Sequence, residues 1–130
     1  MSCSCLMREP VKDEEAEHPV AEAWRPRFNE INRAFMRGDF AFAHAPPGVT
    51  LRSPGCADQI QRTLTAWGET LVELPDETWS TSVAQWMGDY WHVIVDLWTA
   101  ESGCIDLIID ARVYETNGDY RFEVGSVYVP

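Results

Sequence analysis

"VIVDLWTAESGCIDLIIDARVY", residues 93–114, decides how this chain folds. Two largely apolar runs flank a short polar break, and within each run the side chains alternate. A period of two marks a β-strand with one buried face. Val93, Val95 and Leu97 take odd positions, as do Ile105, Leu107, Ile109 and Val113 beyond the break. The odd-numbered face therefore packs against the rest of the protein. The even-numbered face carries His92, Ile94, Asp96 and Trp98, then Asp106, Ile108, Asp110, Arg112 and Tyr114. All three aspartates share that outer face.

Cross-strand neighbours lie on one face, so their residue numbers sum to an even value. A two-residue turn at Ser102-Gly103 violates this rule. A three-residue turn over Ser102 to Cys104, with Gly103 at positive φ, satisfies it and places Asp96 opposite Asp110 and Trp98 opposite Ile108. Facing carboxylates destabilise a sheet by a few tenths of a kcal/mol. Arg112 on the diagonal, a Lys or Arg from a partner, or a divalent metal are the three ways to offset that. Two aspartates without further oxygen ligands make a poor metal cage, so no metal and no other cofactor is expected. Large aromatics mixed with carboxylates resemble an interface core with a charged rim. Asp96, Trp98, Asp106, Asp110 and Tyr114 are accordingly the candidate partner-binding set. Covering of this face by the N-terminal segment, or by a second helix layer, is the structural alternative.

Working outward, β-rich segments run over 78–87, 91–100, 105–115 and 120–129, separated by "GD", "ESG" and "TNGD". Short turns make successive strands antiparallel, and "NGD" at 117–119 is the strongest hairpin signal. Upstream the period lengthens. Phe28, Ile31 and Phe35 form one stripe of a helix over 26–37, with Pro26 in its first turn and Gly38 ending it. Trp24 sits on the stripe or on its lead-in. Ile60, Leu64 and Trp67 form the stripe of a second helix over 54–67, with Ser53 as N-cap and Gly68 as stop. "TLVELP" at 70–75 reads as an extended linker or edge strand. The expected fold is α+β: two N-terminal helices packed on one face of a four-stranded antiparallel meander. Residues 1–18 read as a disordered or frayed acidic tail, and 19–130 as a single domain.

The totals narrow the function. At 130 residues, 45% of them hydrophobic, the chain is long enough to bury one core. No apolar run approaches the roughly 20 residues of a membrane span, and the N-terminus lacks an apolar signal segment, so a cytoplasmic location is expected. A net charge of −11 opposes phosphate backbones and anionic lipid, which leaves no nucleic-acid or membrane role. A basic protein partner is attracted instead. Cys3 and Cys5 form a C-x-C in the tail, while Cys56 and Cys104 stand apart, a pattern of free thiols without a zinc set. His18, His44 and His92 are the only histidines. His92 with Asp96 and Asp110 is the one acid/base group available, but a flat sheet face offers no water-excluding pocket. Two aspartates this close also fail the geometry of an inverting glycosidase. No catalytic residue is assigned.

The hairpin "DLWTAESGCIDL" at 96–107 carries a D-x-W-T-x-E-x-G-x-x-D-L pattern that resembles a family of small bacterial proteins of unassigned function. The likeness extends over about 48–129, through "GVTLRSPGCADQIQRTLTAWG" and "VGSVYVP", and implies a fold without an activity. "FNEINRAFMRGDF" at 28–40, followed by antiparallel strands, is also similar to NTF2-like domains, which implies a ligand or active site between helix and sheet. In size and acidity the chain resembles bacterial immunity proteins, which neutralise a toxin by covering it. The sequence therefore points first to a non-catalytic protein-binding domain, in its most concrete form an immunity protein facing a basic toxin domain. An NTF2-like small-molecule binder or enzyme is the alternative.

Overall fold

The computed structural model describes residues 9–44 and 46–130. Two helices, α1 (Arg25–Met36) and α2 (Gly55–Trp67), accompany six strands: β1 (His18–Pro19), β2 (Val49–Leu51), β3 (Val83–Trp86), β4 (Trp91–Thr99), β5 (Gly103–Thr116) and β6 (Asp119–Tyr128). The fold is α+β. The strand order is β1-β3-β4-β5-β6-β2, with β2 parallel to β6 and the other pairings antiparallel. This mixed six-stranded sheet corrects the expected four-stranded meander. The two added strands are two and three residues long, too short to display a period of their own.

Alternation places the hairpin correctly. Val93, Val95, Leu97, Leu107, Ile109 and Val113 are buried, and they share one core with Phe28, Ile31 and Phe35 of α1 and Ile60 of α2. Pro26 lies in the first turn of α1, and Trp24 belongs to a 3-10 turn over Glu22–Trp24 that leads into it. The Trp24 ring stands edge-on to Trp91 at 5.1 Å and to Tyr120 at 5.4 Å. Gly68 ends α2 at φ +77, whereas the expected Ser53 N-cap is corrected: Pro54 is the N-cap, with no side-chain cap hydrogen bond, and the Ser53 hydroxyl lies against Cys56 Sγ at 3.4 Å. Asn117 and Gly118 both take positive φ between the paired Thr116 and Asp119, the two-residue turn that "NGD" announces. On β6 the parity inverts. A bulge between Asp110 and Ala111 inserts Gly125, so Phe122 and Val124 face the core on even numbers and Val127 on an odd one.

Two expectations move. The segment 78–87 divides into a 3-10 helix over Asp76–Ser80 and the short β3, because Thr78 and Ser82 turn to serve the β4 edge. Thr78 donates its hydroxyl to the Asp96 carbonyl at 2.7 Å, and the Asp96 N–H donates to Ser82 Oγ at 3.0 Å. In the segment read as frayed, residues 1–8 lie outside the described residues. From Glu9 onward it docks: Trp91 Nε1 donates to the Val11 carbonyl at 2.9 Å, and Lys12 lies 5.0 Å over the Trp86 ring.

The opposite edge of the sheet is closed by the same device. Gln59 on α2 donates Nε2 to the Val127 carbonyl at 2.8 Å and accepts from its N–H at 3.3 Å, so one amide side chain copies a strand's pairing. A net hydrogen bond contributes about 1 kcal/mol, so Gln59→Ala is expected to lower stability by about 1–2 kcal/mol in urea unfolding. The Val127 amide should then exchange with solvent faster than its β5-facing neighbours. Unchanged exchange at Val127 would show that Gln59 does not seal this edge.

Candidate functional site on the outer sheet face

The hairpin register is set at its turn. Thr99 pairs with Gly103 at φ +72, so the loop is residues 100–102, two residues earlier than the alternation rule alone suggests. Side chains outside the hairpin impose this. The Glu69 carboxylate accepts from Thr99 Oγ1 at 2.9 Å, Ser102 Oγ at 2.7 Å and Trp67 Nε1 at 2.9 Å, and the Glu101 carboxylate accepts from the Thr70 N–H and hydroxyl. Both carboxyls are held below their ordinary pKa, Glu69 chiefly by Ser102 and Glu101 chiefly by the Thr70 N–H. A bulge on β5 then sets three residues against Leu97. Beyond it Asp96 pairs with Ile108, and Asp110 pairs with Ile94.

The expected Asp96–Asp110 opposition is thereby corrected, and so is the expected role of Arg112. Asp110 is neutralised by other groups. His92 Nε2 lies 2.7 Å from Asp110 Oδ1, Arg52 Nη1 3.7 Å from Oδ2, and Ser126 Oγ donates to Oδ2 at 3.4 Å. Burial alone would raise the Asp110 pKa, but the His92 hydrogen bond, the His92 and Arg52 charges and Ser126 together hold it below the ordinary carboxylate value. Arg52 reaches this position by crossing Gly125, where an added Cβ would fall 2.4 Å from the guanidinium. It also meets Glu123 at 3.4 Å, and Arg121 approaches Glu123 from the far side at 3.6 Å. Arg112 stacks on Tyr90 instead, 4.6 Å from the ring centre.

The five sequence candidates therefore separate. Asp96 and Asp106 line one open groove of about 470 Å³ together with Thr81, Cys104, Ile105, Ile108 and Val129. Ile108 is buried although it lies on the outer face. Asp96 accepts a short hydrogen bond from the Thr81 hydroxyl, and Asp106 is exposed. Trp98 is half-buried against the core and does not line the groove. Asp110 and Tyr114 lie toward the other end of the hairpin, where Tyr114 contacts Tyr90 at 5.5 Å.

Sequence reasoning missed Arg52, Arg121, Tyr90 and the groove wall at Thr81. One signal was present: a glycine inside a strand pattern, Gly125, marks a bulge or a close approach. Chemistry has little foothold in the groove. Burial, Asp96 and Asp106 all push the Cys104 thiol above its ordinary pKa, which keeps it protonated and weakly nucleophilic. Cys56 and Cys104 are both free. Cys3 and Cys5 lie outside the described residues. Among the described residues no cluster of His, Cys, Asp or Glu is arranged to hold a metal ion, and no helix is long and apolar enough to cross a membrane.

The clamped turn is where the D-x-W-T-x-E-x-G pattern falls, and a family model matches the chain from residue 32 to 130, through that turn and all of β2 to β6. The chain belongs to the family described as a domain of unknown function, DUF7668. No curated protein and no solved structure matches it. The DUF7668 match includes every residue of the groove and of the Asp110 network, since Arg52, His92, Asp96, Asp106, Asp110, Glu123 and Ser126 all fall inside it.

The network predicts a pH signature. A depressed folded-state carboxyl pKa contributes stability that is present above the unfolded value and is lost as pH falls through the folded one. Asp110→Asn should destabilise by about 1.5–3 kcal/mol at neutral pH, the range for hydrogen bonds to a charged group. The difference from wild type should shrink as pH drops below the ordinary aspartate range, about 4. Gly125→Ala should displace Arg52, so its effect and that of Arg52→Ala should be non-additive in a double-mutant cycle. Additive losses would mean that Arg52 does not hold its place across Gly125.

Proposed function

We propose that this domain is a non-catalytic protein-binding module that receives a basic side chain of its partner in the Asp96/Asp106 groove. The observation that carries this reading is the groove itself: two carboxylates beside the apolar surface of Val129 and Pro130, about 470 Å³ in all. A Lys or Arg side chain has that same division, an apolar stem and a cationic head. The net charge of −11 steers such a partner over distances longer than any contact. A toxin-neutralising immunity role is the most concrete form of this activity, with the basic surface of the toxin as the occupant. The filled helix side of the sheet favours this over a small-molecule pocket between helix and sheet, because Val93, Val95, Leu97, Leu107 and Ile109 are all buried there.

The structure changes which aspartates should be tested. Asp110 already has internal partners, so Asp96 and Asp106 are the binding pair. Affinity capture from the native organism, followed by calorimetry with the purified partner, makes the test. Asp96→Asn with Asp106→Asn should leave the fold intact, weaken binding by about 1–3 kcal/mol and flatten its salt dependence. A partner held with the same affinity and the same salt dependence by the double variant would remove the groove from the interface.

A further inference from the structure

The other end of the outer face has the opposite character. Arg112 lies 4.6 Å over the Tyr90 ring, Arg121 lies 4.3 Å over the Tyr114 ring, and the two tyrosines stand 5.5 Å apart. The two guanidinium groups flank the tyrosine pair along this ladder, which draws on the β3–β4 turn, β5 and β6. Its local acids are shared among several cations: Asp110 between His92 and Arg52, and Glu123 between Arg52 and Arg121, so Arg121 meets Glu123 through one of its guanidinium nitrogens, at 3.6 Å, and shares that acid with Arg52. Arg112 also hydrogen-bonds Tyr114 and is drawn by Glu123, its cross-strand neighbour, but has no carboxylate within ion-pair distance among the described residues, in a chain with 21 Asp and Glu against 10 Lys and Arg. Stacking also fixes the guanidinium plane, which lessens the side-chain entropy lost when a carboxylate binds it.

We propose that the ladder of Tyr90, Arg112, Tyr114 and Arg121 is a carboxylate-accepting subsite for the same protein partner whose basic side chain fills the Asp96/Asp106 groove. This rests on the binding reading above and adds the partner's chemistry. Asp106 and Arg112 are six residues apart on β5, roughly 20 Å at strand rise. The partner surface thus presents Lys or Arg at one point and Asp or Glu roughly 20 Å away. Charge complementarity selects such a bipolar surface over a uniformly acidic ligand. A net charge of −11 repels polyanions at long range, whereas a partner carrying both signs is steered in by its basic end and read at short range by its acidic one.

Capped, extended octapeptides test this in the intact protein by amide and arginine side-chain chemical-shift titration. The first has two lysines, four threonines and two glutamates in that order. The second replaces the glutamates with glutamine, and the third keeps the composition of the first in scrambled order. The first peptide should bind at least about fivefold more tightly than the other two, the size of a modest ion-pair contribution. Its shifts should appear at both the groove and the ladder. Arg112→Gln with Arg121→Gln should reduce its affinity to that of the glutamine peptide and leave the glutamine peptide unaffected. Arg112→Lys should recover only part of the loss, because it keeps the charge without the stacked plane. If the glutamates add nothing and the arginine variants bind like wild type, the ladder is a structural stack, while lysine-dependent shifts in the groove would keep the binding reading. If neither end responds to any peptide, both are overturned.

Discussion

Val93, Val95, Leu97, Leu107 and Ile109 are sealed from water beneath the helices, and that burial governs everything on the other side of the sheet. The pleat allows no compromise: once these side chains point inward, every even-numbered neighbour on the hairpin points out. His92, Asp96, Asp106, Asp110, Arg112 and Tyr114 therefore arrive on one surface as a consequence of core formation. A one-residue slip would bury three carboxylates and expose the aliphatic core, a penalty of many kcal/mol against the few tenths at stake in any surface pair. The core thus fixes which face the charges occupy. It does not fix which charge meets which.

That second choice is made by hydrogen bonds from outside the hairpin. Glu69 and Thr70 grip the turn at Thr99, Glu101 and Ser102, and the Asp96 backbone is served by Thr78 and Ser82. The same side chains close a sheet edge. Exposed edges invite pairing with other chains, and here hydroxyls and an amide occupy positions where a further strand would bond.

Alternation, turn residues and helix-ending glycines made much of the fold legible: both helices, the three long strands, the "NGD" turn and the inward set all follow from local signals, while the Ser53 cap did not form. The mixed sheet was not legible, because His18–Pro19 and Val49–Leu51 become strands only by lying against β3 and β6. Nor was the register. Parity restricts cross-strand sums to even values, but 202, 204 and 206 are equally even, and tertiary bonds from Glu69 and Thr70 decide among them. The candidate site was legible to the same depth. Its face followed from parity, whereas the separation of Asp110 from Asp96 depended on register and on Arg52, 58 residues earlier in the chain, crossing Gly125.

Register also changes the electrostatics from a uniform patch to a polarised one. Had Asp96 faced Asp110, the outer surface would have carried one acidic focus at its centre. With Asp110 drawn into the His92–Arg52 network, the centre is neutralised and the unspent carboxylates shift toward the turn, while Arg112 and Arg121 remain at the far end. A polarised face discriminates in a way that a uniform one does not. Beyond a screening length of about 8 Å a partner senses little more than the chain's net negative charge. Within it, a wrongly oriented partner sets like charges against each other at both ends, and each such juxtaposition is repulsive. Two residues of register, set by hydrogen bonds at a turn, thus convert a face with one acidic focus into one whose two ends carry opposite charge.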